Sequence, residues 1–162
     1  MKKLIPVSKE LQAIIPKCQL TAMMESIEEH KKVIRRLEKQ LKKIPYYDET
    51  RELNILPPAI FHYSDCRSDY YICEYDPQDG TMFGYILNND DLDSSDWAVI
   101  YVPYLLEPVC MNIDFHFKEQ DVITAVNEKY PGFIEKPPKK VADTAFFLNS
   151  SNAKRKFSPY IQ

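Results

Sequence analysis

The sequence predicts an α+β fold: a small, mainly antiparallel sheet of four or five strands, helices packed on one face, and one long amphipathic basic helix. Short segments rich in aromatic and β-branched residues, separated by turn residues, are typical of hairpins. An apolar stripe at heptad spacing is typical of a long helix. Twelve prolines against three glycines in 162 residues favour short elements joined by stiff connections.

The clearest hairpin lies at residues 70–87. Two segments rich in Tyr, Ile and Phe flank the sequence Asp-Pro-Gln-Asp-Gly at residues 76–80. Proline fixes the φ angle at one corner of a turn, aspartate caps turn amides, and glycine accepts a positive φ at the end. The pattern predicts strands over 70–75 and 82–87. The other expected elements are a short helix over 8–16, strands over 59–64 and 97–104, a helical turn over 103–109, a strand over 113–117 and a helix over 119–130.

The strongest periodic signal predicts one uninterrupted helix over residues 21–44. Its apolar positions recur every three or four residues and form a seam of Met23, Ile27, His30, Ile34, Leu37, Leu41 and Ile44. Two interpretations stay open: the seam packs on the sheet, or the helix protrudes and pairs with a copy of itself or with a partner helix.

Charge is distributed in blocks along the chain. The net charge is +6 over residues 1–45, −14 over 46–135 and +5 over 136–162. We expect one domain over residues 1–130, followed by a basic tail or strap over 131–162. Such asymmetry bears on partners rather than on fold.

The charged residues fall into two candidate surfaces. The expected acidic interaction surface consists of Glu74, Asp76, Asp79, Asp90, Asp91, Asp93 and Asp96. The expected basic surface of the helix and tail consists of Lys31, Lys32, Arg35, Arg36, Lys39, Lys42, Lys43, Lys154, Arg155 and Lys156.

Several short motifs resemble a bacterial family of unknown function that occurs on plasmids, phages and integrative elements. They are Leu4-Ile5-Pro6, Phe61, Tyr71-Ile72-Cys73-Glu74-Tyr75-Asp76, Phe83-Gly84-Tyr85, the segment 101–107 and Asp114-Phe115-His116-Phe117. The resemblance covers residues 1–16 and 59–117 and leaves helix 21–44 as an insertion. It implies a small α+β domain and a mobile-element setting, and it implies no activity.

Residue types that could carry chemistry are scattered. Glu74 and Asp76 could form a carboxylate pair for acid/base work, although turn carboxylates more often bind backbone amides. Loop 90–96 lacks the glycine and the bidentate glutamate of a calcium loop. A zinc site would need His62, Cys66, Cys73 and His116, which have no close ligand spacing. We expect no metal, no cofactor and no catalytic residue.

The four cysteines are Cys18, Cys66, Cys73 and Cys110, with no Cys-x-x-Cys pair. We expect four reduced thiols, two or three of them packed as small hydrophobic groups, and not a disulfide framework. Cys73 is expected to share a face of its strand with Tyr71 and Tyr75. No segment approaches the ~18 apolar residues that span a bilayer, so a cytoplasmic protein without membrane contact is expected.

These observations predict a non-enzymatic interaction protein from a mobile element. Its acidic body would dock on a basic surface of a host protein, such as a nuclease of a defence system, as an inhibitor of the anti-CRISPR or antirestriction type. The alternative is a nucleic-acid-binding accessory protein that uses the basic helix and tail. A hydrolase that uses Glu74 and Asp76 is a third, weaker interpretation.

Overall fold

A computed structural model of the chain describes residues 7–50 and 56–134. Its strands are β1 (Phe61–Ser64), β2 (Ser68–Asp76), β3 (Thr81–Asn88), β4 (Asp96–Tyr101) and β5 (Asn112–Ile113). Its helices are α1 (Lys9–Gln12), α2 (Lys17–Glu25), α3 (Ile27–Lys43), α4 (Tyr47–Thr50), α5 (Val102–Leu105) and α6 (Val122–Lys129). The strands form one antiparallel sheet in the order β4-β3-β2-β1-β5, so the predicted α+β fold is confirmed.

The β2–β3 hairpin is the predicted one. Its turn occupies residues 77–80, and Gly80 has the positive φ of 64° that an L side chain would resist. The carboxylate Oδ1 of Asp76 accepts a hydrogen bond of 2.8 Å from the amide of Gln78. The turn chemistry expected from Asp-Pro-Gln-Asp-Gly is therefore present.

A β-bulge interrupts the pairing of β2 with β3. The register shifts between Ile72, which pairs with Gly84, and Glu74, which pairs with Phe83. The extra residue moves Tyr75 to the opposite face of the sheet, where it joins the first of the two apolar clusters described next. The expectation that Cys73 shares its face with both Tyr71 and Tyr75 is correct for Tyr71 and wrong for Tyr75.

Two apolar clusters lie on opposite faces of the sheet. The first joins Phe61, Tyr63 and Ile72 to α1, α2, α3 and α5. The second joins Tyr71 and other residues of β2 and β3 to Val122, Ala125 and Val126 of α6. The prediction of helices on one face is therefore wrong for α6. Alternating apolar side chains on both faces of β2 and β3 require cover on both sides.

The predicted single helix over residues 21–44 is two helices. The chain leaves helical geometry at Ser26, with φ −130° and ψ 53°. The change of direction lets α2 lie along the edge of the sheet, where the side-chain amide of Gln19 exchanges hydrogen bonds of 2.7 and 2.9 Å with the backbone of Ile113. Gln19 thus acts as a short extension of the β5 edge, which a continuous helix could not supply.

The heptad seam packs into the first cluster. Ile34 and Leu37 are 0% and 2% exposed, Met23 and Ile44 are buried, and Ile27 and Leu41 pack against the cluster. The ring Nδ1 of His30 contacts the Ser26 carbonyl oxygen at 3.0 Å. Of the two open interpretations, these contacts favour the seam packed on the sheet.

The last strand is shorter than predicted. Only Asn112 and Ile113 pair with β1, because Asp114 folds the chain into a turn by accepting a hydrogen bond of 2.7 Å from the His116 amide. Gln120 then forms an isolated bridge with Ala59.

Over the described residues, no helix has the length and apolar character needed to cross a membrane. Lys154, Arg155, Lys156 and Leu4-Ile5-Pro6 lie outside the described residues.

Candidate functional site

The predicted acidic surface is not one surface. Glu74 is only 2% exposed and accepts a hydrogen bond from the hydroxyl of Thr50, which is itself buried on α4. The bulge at Cys73 changes the direction of the side chain that follows it, and α4 packs against this part of β2. The assignment of Glu74 to an exposed interaction surface is therefore wrong.

The remaining carboxylates lie at opposite ends of the hairpin. Asp76 and Asp79 lie at the β2–β3 turn, whereas the others follow β3. The eight residues of β3 separate the two groups by about 23 Å, given a rise of about 3.3 Å per residue. The two groups therefore form two separate acidic patches at opposite ends of β3.

The loop that joins β3 to β4, residues 89–95, presents a compact acidic group. Four carboxylates in this segment are exposed: Asp90, Asp91, Asp93 and, at the first residue of β4, Asp96. We call residues 89–96 the acidic loop. Among described residues, the one cation in ion-pair range is Arg67, whose Nε lies 3.7 Å from Asp90. Since both side chains are largely exposed, water screens this pair and it neutralises little of the charge.

Hydrogen bonds from Asn88 fix the shape of the acidic loop. Its side-chain oxygen accepts from the amides of Asp90 and Asp91 at 3.1 and 3.3 Å. Its own amide and side-chain nitrogen donate to the hydroxyls of Ser95 and Ser94 at 2.9 and 2.8 Å. These internal hydrogen bonds therefore hold the loop in a defined conformation before any partner binds.

A polar network anchors the acidic loop to the sheet. Asp69 on β2, which is 6% exposed, accepts hydrogen bonds from Asn89 at 2.8 Å, from Lys129 of α6 at 2.6 Å and from His62 of β1 at 2.9 Å. The hydroxyl of Tyr130 donates to the side-chain oxygen of Asn89 at 3.0 Å. Hydrogen bonds to the buried carboxylate of Asp69 thus connect β2 to β1, to α6 and to the start of the acidic loop.

The donors around Asp69 set its charge. Burial by itself would raise the pKa of Asp69, but the hydrogen bonds from His62, Lys129 and Asn89 outweigh burial and hold the pKa well below its usual value. Asp69 is therefore a carboxylate throughout the physiological pH range, and its charge is satisfied by the network.

His62 is largely buried, with 16% of its side chain exposed. Its Nε2 contacts Asp69, its Nδ1 lies 3.6 Å from a carboxylate oxygen of Asp114, and Tyr71 and Phe117 cover the ring at centroid distances of 4.8 and 5.4 Å. A general base needs a ring nitrogen directed at the substrate. Both nitrogens of His62 face carboxylates, so this arrangement suits a structural link between strands.

The basic residues of α3 divide into three groups. Lys31 and Lys43 pair with Glu28 and Glu119 at 3.6 and 2.7 Å. Arg36 turns inward: its Nε and Nη2 are buried without a hydrogen-bond partner. The exposed residues Lys32, Arg35, Lys39 and Lys42 form what we call the basic stripe, which has no ion pair within the described part of the chain.

The described residues contain no group of three or more His, Cys, Asp or Glu side chains that could hold a metal ion. His116 is exposed, away from the largely buried His62, and Cys73 is buried while Cys66 is exposed. All four cysteines are thiols, but only Cys73 is buried, so the expectation of two or three packed cysteines is wrong.

The sequence did not predict the network around Asp69. Its members come from β1, β2, the acidic loop and α6, and no spacing in the sequence links them. The one local signal was Asn88-Asn89 ahead of the aspartates, a pair of side chains that can both donate and accept.

No family model, curated protein or solved structure matches the chain. The resemblance to the mobile-element family therefore stays a prediction. The proposed function below is inferred from the contacts, burial and charges of the described residues.

Proposed function

We propose that the chain is a non-enzymatic protein-interaction module whose acidic loop binds a basic surface of a partner protein. The observation that carries the proposal is the concentration of four exposed carboxylates on a loop that its own hydrogen bonds already hold closed. A loop ordered before binding loses less conformational entropy on association. Its uncompensated charge accelerates encounter with a cationic surface.

The same charge layout suggests the kind of partner. Residues 56–134 hold 3 Lys and Arg against 14 Asp and Glu, so the sheet domain repels phosphates and attracts proteins that have a phosphate-binding surface. In the mobile-element setting that the resemblance implies, such a partner is a nuclease of a host defence system. The chain would then act as an inhibitor of the anti-CRISPR or antirestriction type.

Neutralising the acidic loop tests this proposal. The variant D90N/D91N/D93N/D96N keeps side-chain shape and hydrogen-bond acceptors while it removes four charges. In pull-downs from nuclease-treated bacterial lysate, we expect this variant to recover at least about tenfold less of the protein partner than the original chain, and the original complex to weaken between about 50 and 300 mM salt.

A matched control separates the loop from net charge. The variant D79N/E25Q/E107Q/E128Q removes four exposed carboxylates elsewhere, one of them at the hairpin tip. It is expected to retain partner recovery within about twofold. Equal loss in both variants, or full binding by the loop variant, would reject the acidic loop as the interface.

One observation favours a second candidate function, nucleic-acid binding by the basic stripe. Its four cations occupy positions 32, 35, 39 and 42, so they follow one side of α3 away from the buried seam. They span about 15 Å at 1.5 Å per residue. A polyanion running along α3 could contact all four.

Fluorescence anisotropy with a labelled 20-base-pair DNA tests this alternative. Four phosphate contacts would give a slope of log K against log salt of about −3 to −4. The variant K32Q/R35Q/K39Q/K42Q should then lose binding, while K9Q/K17Q/R67Q/K118Q, with the same charge change at exposed sites, should retain it. Equal loss in the two variants would show only non-specific attraction.

A further inference from the structure

Two exposed cysteines lie at the same edge of the sheet, far apart in sequence. Cys66 is in the turn between β1 and β2, and Cys110 is in the loop between α5 and β5. The antiparallel register of β1 with β5 pairs Ser64 with Asn112. Cys66 follows Ser64 by two residues and Cys110 precedes Asn112 by two residues, so the turns that carry them both lie at this end of the β1–β5 pair.

Opposed residues of an antiparallel pair have Cα atoms about 4.5 to 5.5 Å apart. That separation falls within the range of about 4.4 to 6.8 Å that disulfides span. The last such pair, Ser64 with Asn112, therefore brings the two turns that carry Cys66 and Cys110 next to each other.

The two thiols interact with each other. A hydrogen bond from the Cys66 thiol to the Cys110 sulfur raises the pKa of Cys66 and holds the pKa of Cys110 below its usual value. The thiolate is the nucleophile in thiol–disulfide exchange, so Cys110 is the sulfur prepared to attack. Both side chains are open to solvent and to a small oxidant.

We propose that Cys66 and Cys110 form a reversible intramolecular disulfide, which makes this edge of the sheet a redox-responsive site. The oxidant is a low-molecular-weight disulfide such as oxidised glutathione. The Cys110 thiolate attacks one of its sulfurs, breaks the S–S bond and releases one glutathione thiolate. Cys66 then loses its proton and attacks the Cys110 sulfur, which releases the second. Two protein thiols are oxidised, one glutathione disulfide is reduced, and the two protons pass to the two released glutathiones.

The bond would lock the least-paired strand of the sheet. β5 has two residue pairs with β1 and two hydrogen bonds to the side chain of Gln19, so it is the strand with the fewest pairs in the sheet. The disulfide joins it to a turn that Asp65 already stabilises by accepting from the amides of Arg67 and Ser68 at 2.7 Å. Oxidation therefore adds a covalent link to an edge that few strand pairs hold.

The test is equilibration of the folded chain in buffers of reduced and oxidised glutathione, followed by thiol counting with a maleimide, intact mass and peptide mapping. We expect a species with two free thiols, a mass loss of about 2 Da and a cross-link between the peptides of Cys66 and Cys110. Its melting temperature should exceed that of the reduced chain by roughly 5 to 15 °C.

Single variants identify the pair. Cys66→Ser and Cys110→Ser should each abolish the cross-link and the rise in melting temperature, while Cys18→Ser, at an exposed cysteine on α2, should change neither. In urea the preference for the Cys66–Cys110 pair should disappear, since the register that creates it is lost. Glutathione adducts alone, dimers through Cys18, or an equal mixture of pairings in the folded chain would overturn the proposal.

Discussion

Replacing Gly84 by alanine is expected to lower the free energy of unfolding by at least about 3 kcal/mol and the melting temperature by roughly 6 to 12 °C. Gly84 lies in β3 between Ile72 of β2 and Ala98 of β4. A Cβ atom at this position would overlap the carbonyl oxygen of Tyr71 and lie 2.9 Å from its carbonyl carbon. The obstacle is the backbone of a central strand, which cannot move without breaking pairs to β1 or β3.

The control is Gly132→Ala. Gly132 has a φ of 76°, but among the described residues nothing beyond its chain neighbours lies within 4 Å of the added Cβ, so only backbone strain of about 1 kcal/mol is expected. Thermal unfolding followed by circular dichroism compares the two variants. A loss smaller for Gly84→Ala than for Gly132→Ala would contradict the close approach of β2 and β3.

Replacing Asp69 by alanine is expected to cost about 2 to 4 kcal/mol of stability at pH 7. The change removes the acceptor shared by His62, Lys129 and Asn89, and it leaves a largely buried imidazole and an amide without a partner. Asp114→Asn is the comparison: it keeps the side-chain oxygen that accepts from the His116 amide and removes only a 40% exposed charge 3.6 Å from His62, so it should cost less than about 1 kcal/mol. Urea unfolding measures both.

The effect of Asp69 should depend on pH. Because the folded state holds the pKa of Asp69 below its unfolded value of about 3.9, the unfolded chain takes up the proton first as pH falls. The stabilisation is fully present above about pH 5 and decreases as pH falls below 4. The difference in unfolding free energy between the original chain and Asp69→Ala should therefore shrink between pH 5 and pH 3. A difference that stays constant over this range would show that the charge of Asp69 contributes nothing.

Gly84 and Asp69 differ in how much of their surroundings can be predicted from the sequence. Gly84 belongs to a motif, Phe83-Gly84-Tyr85, that the sequence places on a strand, although the sequence does not show that Tyr71 approaches it. Asp69 has no local signal: its partners lie 7, 20 and 60 residues away. A long-range network of this kind is formed by strand pairing and helix packing, so periodicity along the chain does not reveal it.

Among the charged residues, the exposed groups can be predicted from the sequence, whereas the buried ones cannot. The four aspartates of the acidic loop and the four cations of the basic stripe are apparent in the sequence, because a loop between two strands and the outer side of an amphipathic helix are both exposed. The burial of Glu74 and Arg36 is not apparent, because it depends on a bulge and on the side of α3 that meets the sheet.

Residue spacing and turn chemistry were enough to predict the α+β class, the β2–β3 hairpin with its turn, the apolar seam of α3 and the acidic composition of the loop. Each depends on contacts between near neighbours in the chain. Long-range packing, in contrast, determines the break at Ser26, the position of α6 on the second face, the network around Asp69 and the meeting of Cys66 with Cys110. Each of these depends on groups distant in sequence that are brought together when both faces of one sheet are buried.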